Sequence, residues 1–473
     1  MLFNSFQFLL FFPIVSILFF ILPHKIRWLM LLSASCFFYM FFKPIYILIL
    51  FSTIIIDYFV GIFLEKTQDF KKKKTILIFS FIANLGVLAI FKYFNFLNEN
   101  ISSLTIFLGF SNPIPYLKIL LPIGLSFHTF QAMSYTIEVF RGNQKAEKHF
   151  GIYALYVMFY PQLVAGPIER PQNMIHQFYE KKYFNYNNAI LGLNLIVFGL
   201  FKKIVVADRL AVYVNEVYAD IGNANTISMF IACIFFSIQI YCDFSGYSDI
   251  ARGTAKFMGF DLMLNFNRPY LATSVAEFWT RWHISLSTWF RDYVYIPLGG
   301  NRNGKLNWYR NLIVVFLLSG LWHGANWTFI IWGALHALFI IFSIILVQAR
   351  QNILKLFSWE FPKFLKKLLN QIITFTLVTF TWIFFRSSSL AQALEVIKTI
   401  RYGGFSLNPQ TLSAGTGVFN LIFSFFIIGL FCMTHFFPKN LNFRNNCIFI
   451  ITTTILIIIL GKNGASEFIY FRF

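Results

Sequence analysis

Runs of apolar residues close to the length of a bilayer crossing alternate with short polar segments along the chain. About 20 consecutive apolar residues span a membrane as an α-helix, whereas the helices of a soluble core show shorter amphipathic stripes broken by charged faces. The pattern therefore predicts an all-α, polytopic membrane protein. The clearest spans predicted in the first third of the chain are residues 5–22, 28–42, 44–64, 75–97 and 117–140.

The middle of the chain is less regular. Residues 151–168 are apolar, but two prolines and a glycine interrupt them. Such a segment predicts a re-entrant or broken stretch, which persists at membrane depth only where protein or a water-filled cavity surrounds it. Residues 188–214 carry two adjacent lysines inside an apolar run, so the extent of that span is open. A further predicted span, 226–241, ends in the polar patch "YCDFSGYSD".

Residues 311–349 are too long for one crossing, because a helix of that length would reach about 60 Å. We expect a break at "HGANW", residues 323–327. Later spans are predicted near 369–385, 417–437 and 447–460. The pattern thus predicts about 11 crossings, plus re-entrant or interfacial helices, in a single domain. That domain covers 1–473, with N-terminal spans in 1–140, a core at about 150–347 and C-terminal spans in 369–473.

Composition agrees with the pattern, since 58% of the residues are hydrophobic and only 12% are charged. The net charge of +20 raises nucleic acid as a partner. Lys and Arg gather in the cytoplasmic loops of membrane proteins, and the run Lys71–Lys74 lies between two predicted spans. The charge therefore predicts a bilayer and no nucleic acid as partner. It places the lysine run inside and the N-terminus outside, and the crossing count puts Phe473 outside.

One stretch is unusually polar for this chain, "FWTRWHISLSTWFRDY" at residues 278–293. Read as a single helix, it carries Arg281, Ser285, Thr288 and Asp292 on one face, with His283 at the border. These groups are costly against lipid, which favours a cavity-lining helix. An amphipathic helix at the membrane surface fits the same periodicity.

The charges of this stretch suit a water-filled path or a phosphate-bearing donor. Arg281 and Arg291 each carry a planar guanidinium, which matches phosphate oxygens through paired N–H groups. We therefore take Arg281, Arg291 and Asp292 as candidate path-lining residues.

A second polar patch, "SGLWHGANW", places His323 inside an apolar run next to Trp322. An ionisable group at membrane depth marks a functional cavity by default. Desolvation keeps an imidazole neutral, and a neutral imidazole can take a proton from a hydroxyl as a general base. Asn326 is near enough in sequence to donate a hydrogen bond to an oxyanion. The alternative is a buried histidine that one hydrogen bond satisfies.

Other candidate sites are weaker. His336 lies 13 residues after His323, about 220° further around a continuous helix, so we interpret it as structural. His128 is intramembrane and stays a weak candidate. The chain has no HExxH motif and its five cysteines have no CxxC spacing, so we predict no metal site. No glycine-rich nucleotide loop is present, and no bound cofactor is predicted.

Five segments in order resemble the membrane-bound O-acyltransferases, and most nearly the bacterial branch that O-acetylates alginate, peptidoglycan and similar envelope polymers. The resemblance covers nearly the whole chain. The segments are "PQLVAGPIERP" (161–171), "YCDFSGYSDIARG" (241–253), "FWTRWHISLSTWFRDYVYIPLGGNR" (278–302), "GLWHGANWTFIIWGALHA" (320–337) and "FIYFRF" (468–473).

The resemblance implies a tunnel through the membrane that contains an essential histidine. At the matching positions, His323 is that catalytic residue, and His283 of the "RWH" motif lines the same tunnel. Trp322 and Asn326 flank His323 there. The two aspartates of "YCDFSGYSD" match a motif that we interpret as structural.

The implied activity is acetyl transfer across a bacterial inner membrane. The expected donor is acetyl-CoA, bound on the cytoplasmic side. The expected acceptor is a hydroxyl of an extracytoplasmic acetyltransferase partner or of the polymer itself. Two alternatives stay open: D-alanyl transfer from a carrier protein to teichoic acid, and a transporter or flippase with polar gating residues.

Overall fold

The structure is a computed structural model. It describes residues 1–118, 121–164, 166–356, 362–434, 443–462 and 468–469. Every regular element in these ranges is helical, which confirms the all-α prediction. The C-terminal motif "FIYFRF" is described only at its first two residues, and 470–473 lie outside the described residues.

Twenty α-helices follow one another along the described chain. They are α1 (Phe6–Ile21), α2 (His24–Met40), α3 (Tyr46–Lys66), α4 (Phe70–Leu88), α5 (Phe94–Phe107), α6 (Leu125–Arg141), α7 (Phe150–Met158), α8 (Pro171–Tyr179), α9 (Tyr186–Leu200), α10 (Asp208–Ala219), α11 (Thr226–Phe257), α12 (Val275–Arg281), α13 (Ile284–Phe290), α14 (Lys305–His323), α15 (Trp327–Leu356), α16 (Lys363–Arg386), α17 (Leu390–Tyr402), α18 (Pro409–Ser413), α19 (Val418–Met433) and α20 (Phe443–Leu460).

Six helical stretches in the described residues are long and apolar enough to cross a membrane. Three shorter apolar helices, of 16 to 17 residues, add to them. The count of 11 crossings stays a prediction. The six stretches are Tyr46–Lys66, Phe70–Phe107, Tyr186–Ala219, Thr226–Phe257, Trp327–Leu346 and Lys363–Arg386; the shorter helices are Phe6–Ile21, Val418–Met433 and Arg444–Leu460.

The chain packs as two compact units. The first comprises Met1–Leu200, Tyr247–Met263 and Leu441–Thr454, and the second comprises Phe201–Gly246, Leu264–Asn440 and Ile455–Phe473. Both histidines proposed for catalysis belong to the second unit. The sections proposed within a single domain stay a prediction.

Buried polar groups tie helices together in the first unit. Asp57 of α3 accepts hydrogen bonds from Ser80 Oγ (2.6 Å) and Asn84 Nδ2 (2.8 Å) of α4. His128 of α6 bonds through Nε2 to Thr53 Oγ1 of α3 (2.9 Å). These contacts give His128 a structural role in joining α3 and α6.

The two adjacent lysines inside an apolar run lie in a π-helical segment, Phe201–Ala207. In the second unit, Lys203 pairs with Asp208 (2.9 Å) and with Asp243 (2.7 Å), and all three side chains are buried. Lys202 donates to Ser245 Oγ (3.0 Å). Buried charges persist when paired and hydrogen-bonded, so the lysines do not interrupt the helix that runs from Tyr186 to Ala219.

The same pairing corrects the predicted end of the 226–241 span. α11 continues through the polar patch to Phe257, because Asp243 finds Lys203 as a partner and its neighbours pack in the interior. Polar residues in a pattern do not end a helix when tertiary contacts satisfy them.

The predicted break at 323–327 is confirmed. α14 ends at His323, Gly324 is extended, and α15 begins at Trp327. A side chain at Gly320 would collide with the carbonyl of Phe329, and the two helices therefore need small residues where their backbones meet. This hairpin places His323 at the turn between two closely packed helices.

Candidate active site

The polar stretch 278–293 is not the single helix that its periodicity predicts. α12 ends at Arg281, α13 begins at Ile284, and His283 between them has a left-handed backbone (φ 43°, ψ 54°). That conformation is uncommon for a non-glycine residue and clusters at functional sites. The prediction of one continuous polar face is therefore wrong.

Asn265 holds this break in place. Its carbonyl oxygen accepts a hydrogen bond from the Ile284 N–H (2.9 Å). Its Oδ1 accepts two more, from the N–H (3.2 Å) and the hydroxyl (2.9 Å) of Ser285. Asn265, Ser285 and His283 are all fully buried, so Ser285 faces the protein interior rather than a polar helix surface.

The break brings His283 and His323 together. Their ring centroids lie 6.5 Å apart, and the side chains are 0% and 3% exposed. Trp322 contacts both rings, at 6.0 Å from His283 and 4.9 Å from His323. The two histidines picked from separate motifs thus share one buried site.

Aromatic rings surround His283. Its ring centroid is 4.6 Å from that of Phe244 and 6.4 Å from that of Phe266. His283 lies outside the six candidate spans, and burial lowers its pKa to about 3, since desolvation disfavours the imidazolium. His283 is therefore neutral at physiological pH.

The described end of the C-terminal segment lies against this cluster. Phe468 packs 5.5 Å from Phe244, the ring that contacts His283. Asp243 Oδ2 accepts a hydrogen bond from the Ile469 N–H (2.8 Å). Asp243 of the "YCDFSGYSD" motif thus anchors the start of the "FIYFRF" motif, which is a structural role.

His323 lies in a shell of large rings. Beside Trp322, its ring contacts Trp332 (5.0 Å) of α15 and Phe385 (5.3 Å) of α16. This shell buries the imidazole, which is 3% exposed.

His336 is held differently. Its Nδ1 accepts a hydrogen bond from Trp279 Nε1 (3.2 Å), and its Nε2 bonds to Thr381 Oγ1 (3.0 Å). Both ring nitrogens therefore have protein partners, and the contacts support the interpretation of His336 as structural.

Sequence reasoning missed three buried donors near His323. The indole N–H groups of Trp332 and Trp382 and the hydroxyl of Thr328 have no hydrogen-bond partner in the part of the chain that the structure describes. All three side chains are at most 1% exposed. Thr328, Trp332 and His336 recur every fourth residue on α15, but a stripe at this spacing equally indicates an ordinary core.

The two candidate arginines pair with carboxylates close to them in sequence. Arg281 Nη2 pairs with Glu277 one turn earlier on α12 (2.6 Å). Arg291 Nε pairs with Asp292 (2.8 Å), and the Arg291 side chain is 58% exposed. These pairs leave the guanidinium groups partly open to solvent.

A cavity of about 350 Å³ lies beside α13 and α14. Its polar lining includes Ser287, Arg291, Ser319 and Ser343. Its apolar lining includes Trp279, Leu286, Phe290, Trp308 and Phe316. Ser319, one of its lining residues, precedes His323 by one turn of α14.

Asn326 is engaged locally. Its Nδ2 donates to the carbonyl of Ser388 (3.0 Å), and its Oδ1 accepts from the Thr328 N–H (3.0 Å) at the start of α15. An amide occupied at both ends caps a helix, so these bonds do not support Asn326 as an oxyanion donor.

No group of three His, Cys, Asp or Glu residues that could hold a metal ion occurs among the described residues. The site consists instead of two imidazoles, indole and hydroxyl donors, and aromatic walls.

Residues 144–390, which include both histidines, match the membrane-bound O-acyltransferase family. A peptidoglycan O-acetyltransferase of Helicobacter pylori is 38% identical over 397 residues, which cover 78% of this chain and 72% of that protein. The chain belongs to the membrane-bound O-acyltransferase family. It is a multi-pass membrane protein and an O-acyltransferase.

Two further relatives differ in their identity to this O-acyltransferase and in how much of its chain they match. A probable alginate O-acetylase, AlgI, of Pseudomonas aeruginosa is 35% identical over 447 residues, covering 93% of this chain and 83% of the relative. A teichoic acid D-alanyltransferase of Bacillus subtilis is 28% identical over 226 residues, covering 46% and 57%. The likeness to the acetylating relatives is thus both higher and longer.

Proposed function

We propose that this O-acyltransferase moves an acetyl group from acetyl-CoA to a hydroxyl on the outer side of a bacterial inner membrane, with His323 as general base. The observation that carries the proposal is the buried pair of His323 and His283, with ring centroids 6.5 Å apart in an aromatic shell. The acceptor is a hydroxyl of an extracytoplasmic acetyltransferase partner or of an envelope polysaccharide of the alginate or peptidoglycan type.

The proposed chemistry uses one imidazole, that of His323, as the base. The acceptor oxygen attacks the thioester carbonyl carbon while His323 takes the hydroxyl proton. The C=O electron pair moves to oxygen and gives a tetrahedral oxyanion. When the C=O bond re-forms, the C–S bond breaks, and the thiolate leaves and takes the proton from the imidazolium. The products are an acetyl ester and CoA thiol, and His323 is neutral again.

His283 is the auxiliary residue of this proposal. It is neutral and fully buried, and its left-handed backbone is held by the bonds of Asn265. Backbone strain of this kind is retained where the surroundings fix a side chain for a task. We assign His283 to the acyl path beside His323 rather than to the main proton transfer.

The sidedness of the proposal rests on charge. The four consecutive lysines Lys71–Lys74 lie at the start of α4, and basic segments face the cytoplasm. With that orientation, the N-terminus is outside and the donor arrives on the basic side, where an anionic CoA is attracted. The exposed Arg291, which lines the cavity, is a candidate contact for its phosphates.

D-alanyl transfer to teichoic acid is the second candidate. The observation that favours it is the match to teichoic acid D-alanyltransferases over nearly half of the chain. The longer match to acetylating relatives argues against it.

An assay on purified protein in proteoliposomes separates these candidates. Labelled acetyl-CoA is supplied on one side and a soluble hydroxyl acceptor on the other, and label in ester form is measured. The proposal expects acetyl ester with acetyl-CoA and none with a D-alanyl carrier protein as donor. A D-alanyl ester would establish the second candidate, and solute flux without thioester loss would indicate a transporter.

A further inference from the structure

Three hydrogen-bond donors near His323 are buried without a partner among the described residues. They are Nε1 of Trp332, Nε1 of Trp382 and Oγ1 of Thr328. Their side chains are 0%, 1% and 0% exposed. Nearly all buried polar groups in proteins find a partner, and an exception requires an explanation, such as a catalytic role.

A matched indole nearby shows that this part of the fold can satisfy such a donor. Trp279 lies 5.6 Å from Trp332, centroid to centroid, and it is also buried. Its N–H donates to His336 Nδ1 at 3.2 Å. The fold thus provides an acceptor for the indole that supports the structural histidine, whereas the described residues provide none for Trp332 or Trp382.

The three donors are linked to His323 through Trp332. The Trp332 ring lies 5.0 Å from the His323 ring. Trp382 stacks on Trp332 at 5.9 Å with an interplanar angle of 23°. Thr328 precedes Trp332 by four residues on α15, so the two share a helix face. The donors therefore lie on the two helices that contact the proposed base.

We propose that Trp332, with Trp382 and Thr328 beside it, donates hydrogen bonds to the carbonyl oxygen of the acyl donor. The inference rests on the proposed function, because it takes His323 as the base. The bond changes are those of the acetyl transfer proposed above. The N–H and O–H donors stabilise the negative oxygen that forms when the acceptor hydroxyl adds to the thioester carbonyl, and the donors lose no proton.

The chemistry of the indole suits this role. An indole N–H is only a donor and does not titrate in the range of an imidazole, so it cannot compete with His323 for the hydroxyl proton. Fixed donors in a water-excluded site stabilise developing negative charge more than donors in water do, because they need no reorganisation. The stacked rings hold the two indoles rigid.

The decisive variant replaces the Trp332 indole by benzothienylalanine, which keeps the bicyclic shape and exchanges the N–H for sulfur. Trp332→Phe and Thr328→Val are genetic counterparts. Removing one oxyanion donor costs about 10²–10³-fold in turnover, and we expect a loss of that size at Trp332 with an unchanged KM for acetyl-CoA. The matched control is the same replacement at Trp279, which we expect to lower thermal stability more than turnover.

A spectroscopic readout separates this role from packing. In wild-type protein without acceptor, bound acetyl-CoA labelled with ¹³C at the carbonyl should show its C=O stretch at lower frequency than in solution. The benzothienyl variant should lose most of that shift. Wild-type turnover and an unchanged shift in this variant would overturn the inference, while full activity of His323→Gln would instead overturn the proposed function.

Discussion

The shells around His336 and His323 share the ring of Trp332 but differ in how they treat polar groups. Around His336, both ring nitrogens have partners. Nδ1 accepts a hydrogen bond from the Trp279 N–H, and Nε2 bonds to the Thr381 hydroxyl. Around His323, the Trp332 and Trp382 N–H groups have no partner in the described chain. One histidine is part of a completed network, and the other stands beside donors that a reacting molecule can use.

The difference teaches how to separate a structural from a functional histidine in an apolar interior. Both side chains are buried and both lie among aromatic rings, so burial alone does not distinguish them. A satisfied network adds rigidity and fixes a conformation. Unfilled donors carry a cost of stability that a fold retains for function.

The largest expected effect is that of His323→Ala. Loss of a general base lowers turnover by about 10²–10⁴-fold, and we expect the variant still to insert into the membrane because its apolar runs are unchanged. Polymer acetylation in cells measures the effect, with protein in the membrane matched to wild type. Acetylation at the wild-type level would remove His323 from the mechanism.

A smaller loss is expected for His283→Ala. His283 lies in the same site as His323 but does not carry out the main proton transfer. We therefore expect turnover to fall by about tenfold, or ~1.4 kcal/mol of transition-state free energy. Steady-state rates on purified protein measure it. A loss as large as that of His323→Ala would make the two histidines equal partners.

Thr381→Val tests the completed network around His336. It removes the hydroxyl that bonds to Nε2, and a lost hydrogen bond of this kind costs about 1 kcal/mol of stability. Thermal unfolding in detergent should show a lower midpoint with turnover unchanged. A loss of turnover without a loss of stability would give His336 a part in the chemistry.

The smallest effect is expected for Arg291→Ala and Arg281→Ala. Both arginines are paired with neighbouring carboxylates and partly exposed, so a contact to donor phosphates contributes little. We expect the KM for acetyl-CoA to rise by about fivefold or less, with the KM for the acceptor unchanged. Lys71→Ala is the control for a general loss of positive charge. Equal effects in all three would mean that the arginines act only through net charge.

Much of this site could be predicted from the sequence. Apolar run length indicates the helices, and "HGANW" indicates the break that begins at His323, because glycine and an overlong run both appear in the sequence. The segments around His283 and His323 identify both residues before any contact is known.

Other features of the fold and of the site depend on tertiary contacts, which the sequence pattern does not show. The left-handed turn at His283 is imposed by Asn265, which lies 18 residues earlier, and helical periodicity gives no sign of it. α11 continues past its polar patch because Lys203 pairs with Asp243. Trp332 reads as an ordinary core residue, and only the absence of a partner in the described structure distinguishes it.

The most direct measurement compares His323→Gln with His336→Gln in the proteoliposome assay with labelled acetyl-CoA. Glutamine can hydrogen-bond like a neutral imidazole but cannot take a proton at neutral pH. We predict that His323→Gln loses at least about 100-fold in turnover, while His336→Gln stays within about threefold of wild type per folded molecule. Wild-type turnover in His323→Gln, or equal losses in both variants, would contradict the account.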